Sequence, residues 1–264
     1  MRSKEYKEIL DNLTIAIIGP YHEQSLNNID NYKKICDNVL VFMWSDVAEE
    51  KVLKYKKYIA DDNHVTLYTE KSPEQEKQQV KSCIFQHYKT LLPHTKGIMR
   101  AAKKCQTKYM IRTRSDESFS DLSPMIKMFS QNTNLVISSN IVWRTNFKNR
   151  HKHMGDHAFI SDTSTIRNVY EKFYNSAFDT FRNMNIQQYE KRRQEHVACE
   201  EILYDYFLEF GKTPVPIDVN NLGDFLVSVA GKKYRSKKDL LRLLNQCPDL
   251  LINWFDYWSS LSEK

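Results

Sequence analysis

Short apolar runs alternate with polar, helix-like segments over the first half of the chain. Residues 13–18 and 39–44 are almost continuously apolar, which is typical of strands buried on both faces of a parallel sheet. Between them, residues 26–35 carry apolar side chains near helical spacing, and residues 47–60 also have a helical pattern. Val65 opens a third strand-like run, so the chain begins as repeated strand–helix units.

The alternation continues through two further strands. Residues 74–104 are mostly helical and lead into a strand that ends before Asp116, and residues 135–139 form another strand-like run. Strands that alternate with helices predict an α/β fold, here a mixed, mostly parallel sheet flanked by helices.

Beyond residue 165 the pattern is mainly helical. Residues 236–262 have the pattern of a helical pair with a stripe of leucine and aromatic side chains. We therefore assign residues 1–230 to one α/β domain and residues 231–264 to a helical C-terminal extension packed on it. A peripheral membrane contact of this stripe is the alternative interpretation.

Composition limits the class of protein. The 264 residues, 41% of them hydrophobic, suffice for one large domain with a packed core. No apolar run reaches the ~20 residues of a membrane span, and the N-terminus lacks the apolar core of a secretory signal. Five cysteines, an odd number without a Cys-x-x-Cys motif, indicate free thiols in a reducing compartment. We expect a cytoplasmic protein.

The charge of the chain fits an anionic substrate. The net charge is +6 and the pI is about 8.9, values that suit a nucleotide sugar or an acidic membrane surface. The basic residues are spread along the chain, so no nucleic-acid partner is expected. Dinucleotide-binding, P-loop and Gly-x-Ser-x-Gly motifs are absent from the sequence, which disfavours those enzyme classes.

The strand before Asp116 ends in a cluster of charge, at the position where open α/β sheets bind ligands. Asp116 and Glu117 are candidate ligands of a divalent cation, Mn²⁺ or Mg²⁺, that holds a diphosphate. Arg112 and Arg114 are candidate phosphate clamps. Period-2 alternation places Arg112, Arg114 and Asp116 on one face of the strand. Alternatively, Asp116 is the structural ion-pair partner of its own arginines.

The first strand ends at Gly19-Pro20-Tyr21, where a nucleotide lies in sheets of this kind. Gly19 and Pro20 are therefore candidate donor-binding residues. Tyr21 is a candidate for stacking on the base, although the same three residues also fit an ordinary turn.

Residues 151–157 hold three histidines and an aspartate. We predict a loop that covers the donor phosphates, with Asp156 or His157 facing the sugar. A zinc site and a flexible basic loop are the alternatives.

Sugar transfer to a hydroxyl requires a base, and three acidic residues are candidates. Asp156 is preferred because a loop after a glycine can approach a bound sugar closely. Glu195 and Glu200 lie at the start of a predicted helix, where stabilisation by the helix dipole is the alternative explanation for a carboxylate.

Several segments follow one another in an order known from one protein group. The segments are Ile17-Ile18-Gly19-Pro20, Leu26-x-x-Ile29-x-x-Tyr32-Lys33, Val41-Phe42-Met43-Trp44-Ser45-Asp46, Gln86, Lys108-Tyr109-Met110-Ile111-Arg112-Thr113-Arg114-Ser115-Asp116, Gly155-Asp156-His157-Ala158-Phe159 and Glu200-Glu201-Ile202-Leu203. Over residues 13–210 this order resembles WavE-type lipopolysaccharide-synthesis proteins, which look like glycosyltransferases with the GT-A nucleotide-sugar fold.

The resemblance implies a glycosyltransferase with a nucleotide-sugar co-substrate and a glycan or lipid-linked acceptor, in surface polysaccharide synthesis. It adds Trp44 and Gln86 to the donor-binding candidates and favours Glu200 as a base. A full Asp-x-Asp motif is missing, since Asp116 and Glu117 supply adjacent carboxylates. Two other function classes stay open: a non-catalytic nucleotide-binding α/β protein, and a basic module that contacts nucleic acid or a membrane surface.

Overall fold

The computed structural model describes residues 4–22, 24–45, 49–72, 85–139, 154–155, 157–182, 199–217, 219–222, 225–229 and 232–234. The helices in these ranges are α1 (Lys4–Asp11), α2 (Gln24–Lys33), α3 (Glu49–Tyr58), α4 (Phe85–Lys104), α5 (Ser123–Gln131), α6 (Thr163–Arg182), α7 (Cys199–Glu209) and a 3-10 turn (Val219–Leu222). The strands are β1 (Leu13–Ile18), β2 (Val39–Trp44), β3 (Val65–Glu70), β4 (Tyr109–Arg114), β5 (Glu117–Phe119), β6 (Leu135–Ser139), β7 (Ala158–Asp162), β8 (Thr213–Ile217), β9 (Phe225–Val229) and β10 (Lys232–Tyr234).

A seven-stranded sheet forms the centre of the fold, in the order β3-β2-β1-β4-β7-β6-β8. All of its strands are parallel except β7, which runs antiparallel to β4 and β6. Ile18 on β1 lies opposite Arg114 on β4, so the carboxyl ends of these neighbouring strands meet at one edge. The predicted class, a mixed and mostly parallel sheet flanked by helices, is confirmed.

Helices cover both faces of this sheet. On β1, Ile15 and Ile17 face a core shared with α1, α2, α3 and α5. Ala16 and Ile18 face a second core, built with α4, α6 and α7. All six positions of β1 are therefore buried, which explains the unbroken apolar run in the sequence.

The chain after α7 departs from the predicted helical pattern. β8 joins the sheet beside β6, and β5, β9 and β10 form a separate antiparallel sheet. β8 contains Pro214 and Pro216, which do not favour a strand in the sequence pattern because proline has no N–H donor. An edge strand such as β8 tolerates them. Lys232–Tyr234, assigned to the helical extension, is a strand. The predicted helical pair at residues 236–262 lies outside the described residues.

Two further expectations concern the membrane and the thiols. Among the helices in the described ranges, none has both the length and the apolar sequence that crossing a membrane requires. Cys36 and Cys105, both in the described part of the chain, carry free thiols.

Candidate functional site

Two turns cross closely where β1 and β4 end. Gly19, directly after β1, has a φ of +146°, a conformation that L side chains rarely adopt. A Cβ atom on Gly19 would lie 2.3 Å from Oγ of Ser115, and the Ser115 N–H donates to the Ile18 carbonyl at 3.3 Å. Glycine is therefore required for the loop after β1 to pass this close to the turn that carries Asp116.

Arg114 contacts both carboxylates that follow β4. Its Nε and Nη2 donate to the two oxygens of Asp116 at 2.9 and 2.7 Å. The same Nε lies 3.3 Å from Oε1 of Glu117. The side chains of Arg114 and Asp116 are 33% and 21% exposed, so the pair lies at the surface of the crevice. The ion pair considered as an alternative for Asp116 is thus present, with Arg114 as the partner.

Burial and charge together determine the protonation of Asp116 and of His22 beside it. Burial acts to raise the pKa of Asp116, but the hydrogen bonds and charge of Arg114 outweigh it and lower the pKa to about 2. The pKa of His22 is lowered, chiefly by burial and also by Lys51 and Arg114, while Asp116 opposes the shift. At neutral pH the site therefore contains a charged Asp116 and a neutral His22.

Glu117 lies in the interior, behind the exposed pair. Its side chain is fully buried, and Oε1 contacts Nδ1 of His157. Oε2 has no hydrogen-bond partner within the described ranges. Nδ2 of Asn28 on α2 donates to the Glu117 carbonyl at 2.6 Å. The His157 contact holds Glu117 against the start of β7, and the Asn28 contact holds it against α2.

These contacts bear on the predicted metal site. Asp116 pairs with Arg114, and Oε1 of Glu117 pairs with His157 and Arg114, whereas Oε2 of Glu117 has no partner in the described ranges. A cation held jointly by the two carboxylates would compete with Arg114, and this site stays a prediction. In the part of the chain that the structure describes, no group of three or more His, Cys, Asp or Glu side chains is arranged to hold a metal ion.

Arg112 is completely buried. Its Nη1 donates to the His157 carbonyl at 3.1 Å, and Nη2 lies 3.0 Å from Nε2 of His94 on α4. A guanidinium in this position does not reach a phosphate in the crevice. Of the two predicted phosphate clamps, only Arg114 has exposed surface, and Arg112 instead joins α4 and β7 to β4.

The two aromatic donor-binding candidates belong to the packed cores. Tyr21 is buried and meets Tyr55 edge-on, with 5.1 Å between ring centroids. Trp44 is also buried and meets Phe42 edge-on at 5.2 Å. Little of either ring is available for stacking on a base. Pro20 is exposed beside Gly19, at the crevice.

Four predicted residues cannot be placed in the site. Asp156 and Glu195 lie outside the described residues. Gln86 belongs to α4 and Glu200 to α7, and their side chains lie outside the described part of the structure. Their assigned roles stay predictions.

Three polar residues of the site were not predicted from the sequence. His22 follows Gly19-Pro20-Tyr21 directly, and proximity to that motif was the available signal. His94 and Asn28 lie inside helices with no motif around them. They join the site because α4 and α2 pack on opposite faces of the sheet beside β4 and β5.

Comparisons with known proteins give similarity of fold at low identity. No protein-family model and no curated protein sequence matches the chain. A solved structure assigned as a glucose-1-phosphate thymidylyltransferase from Bacillus anthracis, in complex with sucrose, is similar at 10% identity and a TM-score of 0.45, covering 90% of this chain and 95% of that one. The glycosyltransferase GlyE from Streptococcus pneumoniae is similar at 8% identity and a TM-score of 0.44, covering 78% of this chain and 45% of GlyE.

HddC from Yersinia pseudotuberculosis, complexed with GMP-PN, is similar at 8% identity and a TM-score of 0.36, covering 59% of this chain and 78% of HddC. Similarity at this level establishes neither a family nor an activity for the present chain.

Proposed function

We propose that this protein is a glycosyltransferase of the WavE-like type, which moves a sugar from a nucleotide-sugar donor to a glycan or lipid-linked acceptor. One observation carries the proposal: Gly19 and the Arg114–Asp116 pair meet at the carboxyl ends of two adjacent parallel strands. Open α/β sheets bind ligands in that crevice. The order of motifs shared with WavE-type proteins favours sugar transfer in surface polysaccharide synthesis over other nucleotide chemistry.

Arg114 is the residue that we assign to the donor diphosphate. Its guanidinium is partly exposed, and guanidinium groups bind phosphate oxygens through paired hydrogen bonds. Asp116 accepts two hydrogen bonds from Arg114, so the guanidinium is oriented before the donor binds. When the bond between the anomeric carbon and the diphosphate breaks, Arg114 stabilises the negative charge that develops on the leaving oxygen.

The acceptor hydroxyl must lose its proton as its oxygen bonds to the anomeric carbon. We assign the base first to Asp156, because a loop after Gly155 can approach a bound sugar closely. Glu200 and Glu195 are the next candidates. Asp156→Asn should lower turnover by ~10²–10⁴-fold with donor binding retained.

The experiment is a panel of UDP-, GDP-, dTDP- and CMP-sugars, assayed by thermal shift and by release of the nucleotide, with Mn²⁺ and with EDTA. We expect one nucleotide class to raise Tm and Arg114→Met to weaken its binding at least tenfold, the loss of a charge-assisted contact. Arg167→Met, which removes an exposed arginine on α6, is the matched control. A Tm unaffected by every nucleotide contradicts the proposal. Binding without turnover of any sugar favours the non-catalytic alternative.

A further inference from the structure

Helix α3 exposes apolar side chains among its lysines. Leu53 is 56% exposed and Tyr58 is 43% exposed, two of the few large apolar residues at the surface of the described part of the chain. The four lysines of α3 are all exposed: Lys51, Lys54, Lys56 and Lys57. Two glutamates in the first turn leave the helix with a surplus of positive charge.

The exposed groups of α3 form one face. Val52 and Tyr55 are buried in the core, so the opposite side of the helix is directed outward. Leu53 and Lys57 are four residues apart, and Lys54 and Tyr58 are four residues apart as well, so they form two adjacent stripes. We call Leu53, Lys54, Lys57 and Tyr58 the outer face of α3.

This helix borders the candidate site. Nζ of Lys54 lies 6.0 Å from the ring centroid of Tyr21, two residues beyond Gly19. Lys51 is close enough to His22 for its charge to disfavour protonation of that imidazole. A surface that docks on the outer face of α3 is therefore next to the crevice where the donor binds in our proposal.

We propose that the outer face of α3 docks on an anionic lipid bilayer. The lysines complement negatively charged headgroups, and Leu53 is placed to enter the boundary between headgroups and acyl chains. The hydroxyl of Tyr58 donates to Asp30 on α2 at 2.5 Å, so its ring lies along this face at headgroup level. A bilayer explains both features, whereas a nucleic-acid backbone is complementary to the lysines alone. The inference rests on the proposed function for its biological purpose: a lipid-linked acceptor would be presented beside the crevice.

The test is co-sedimentation of the full chain with phosphatidylcholine vesicles that contain or lack phosphatidylglycerol, without nucleotide. We expect binding only to the anionic vesicles. Lys54→Gln with Lys57→Gln should lower the partition coefficient by roughly 25-fold, about fivefold for each lysine. Leu53→Ser should lower it by about tenfold. All of these positions are exposed, and unchanged circular dichroism will verify that the variants are folded.

Matched controls carry the same substitutions elsewhere. Leu208→Ser changes an exposed leucine at the end of α7, and Lys7→Gln with Lys127→Gln removes two exposed lysines from α1 and α5. The controls should bind vesicles like the wild type. Equal losses in controls and α3 variants overturn the inference, and so does binding to DNA in preference to anionic vesicles. Because the vesicle assay contains no nucleotide and the donor assay no lipid, failure of this inference and failure of the proposed function give different results.

Discussion

Replacing Asp116 with asparagine removes the charge held by Arg114 and keeps the shape of the side chain. The pKa of Asp116 falls from an ordinary value of 3.8 to about 2 in the folded protein. At roughly 1.4 kcal/mol for each pKa unit, the charged form stabilises the folded state by about 2 kcal/mol. The side chain is 21% exposed, and screening by solvent makes this figure an upper value.

The pH dependence has a definite sign. Because the folded-state pKa of Asp116 is lower than the unfolded value, its contribution is complete above pH 3.8 and is lost as the pH falls to about 2. Wild type and Asp116→Asn should therefore differ by at most about 2 kcal/mol in free energy of unfolding at pH 7. The difference should shrink between about pH 4 and pH 2.

Urea unfolding followed by circular dichroism at a series of pH values measures this difference. Arg114→Met and the double variant complete a mutant cycle, whose coupling energy should be of the same size. Asp61→Asn is the control. It changes an exposed carboxylate just after the end of α3 and should change the free energy of unfolding by less than ~0.5 kcal/mol. Asp116→Asn should remain folded, since typical stabilities are about 5–15 kcal/mol, but should lose sugar transfer. A difference that does not change with pH refutes the reasoning.

Three further predictions concern the surroundings of the site. Gly19→Ala should lower the free energy of unfolding by about 3 kcal/mol, because it adds a clash to a strained φ. Gly211→Ala, at a φ of +73° with open space around it, should cost only about 1 kcal/mol, and equal losses in urea unfolding contradict the argument. NMR titration of His22 should give a pKa below 6.5. In Asp116→Asn this pKa should be lower still, because the Asp116 carboxylate acts to raise it, and a wild-type pKa above 6.5 contradicts the prediction. Burial raises the pKa of Cys36 to about 11, so a thiol reagent at pH 8 should label it only after unfolding, as peptide mapping will show.

Local periodicity was sufficient for five strands of the sheet, β1, β2, β3, β4 and β6. Residues 13–18 and 39–44 are buried at every position, and strands of this kind are recognisable in the sequence as nearly unbroken apolar runs. The alternation of Arg112 and Arg114 along β4 is likewise a property of the strand itself. Both features depend on neighbours along the chain. That β1 and β4 are adjacent is confirmed, whereas ligand binding at their carboxyl ends stays a prediction.

Tertiary packing decided what each charged residue does. Arg112 and Arg114 are equivalent in the sequence pattern, but only Arg112 is covered, because His94 on α4 and the start of β7 close over it. Glu117 meets His157 across 40 residues of chain, and no local signal encodes that contact. β8 depends in the same way on pairing with β6, since its prolines suit only an edge strand. Burial and ion pairing depend on residues that are far apart in sequence. The fold therefore determines which charged side chains at the end of β4 reach the crevice and which ones stabilise the interior.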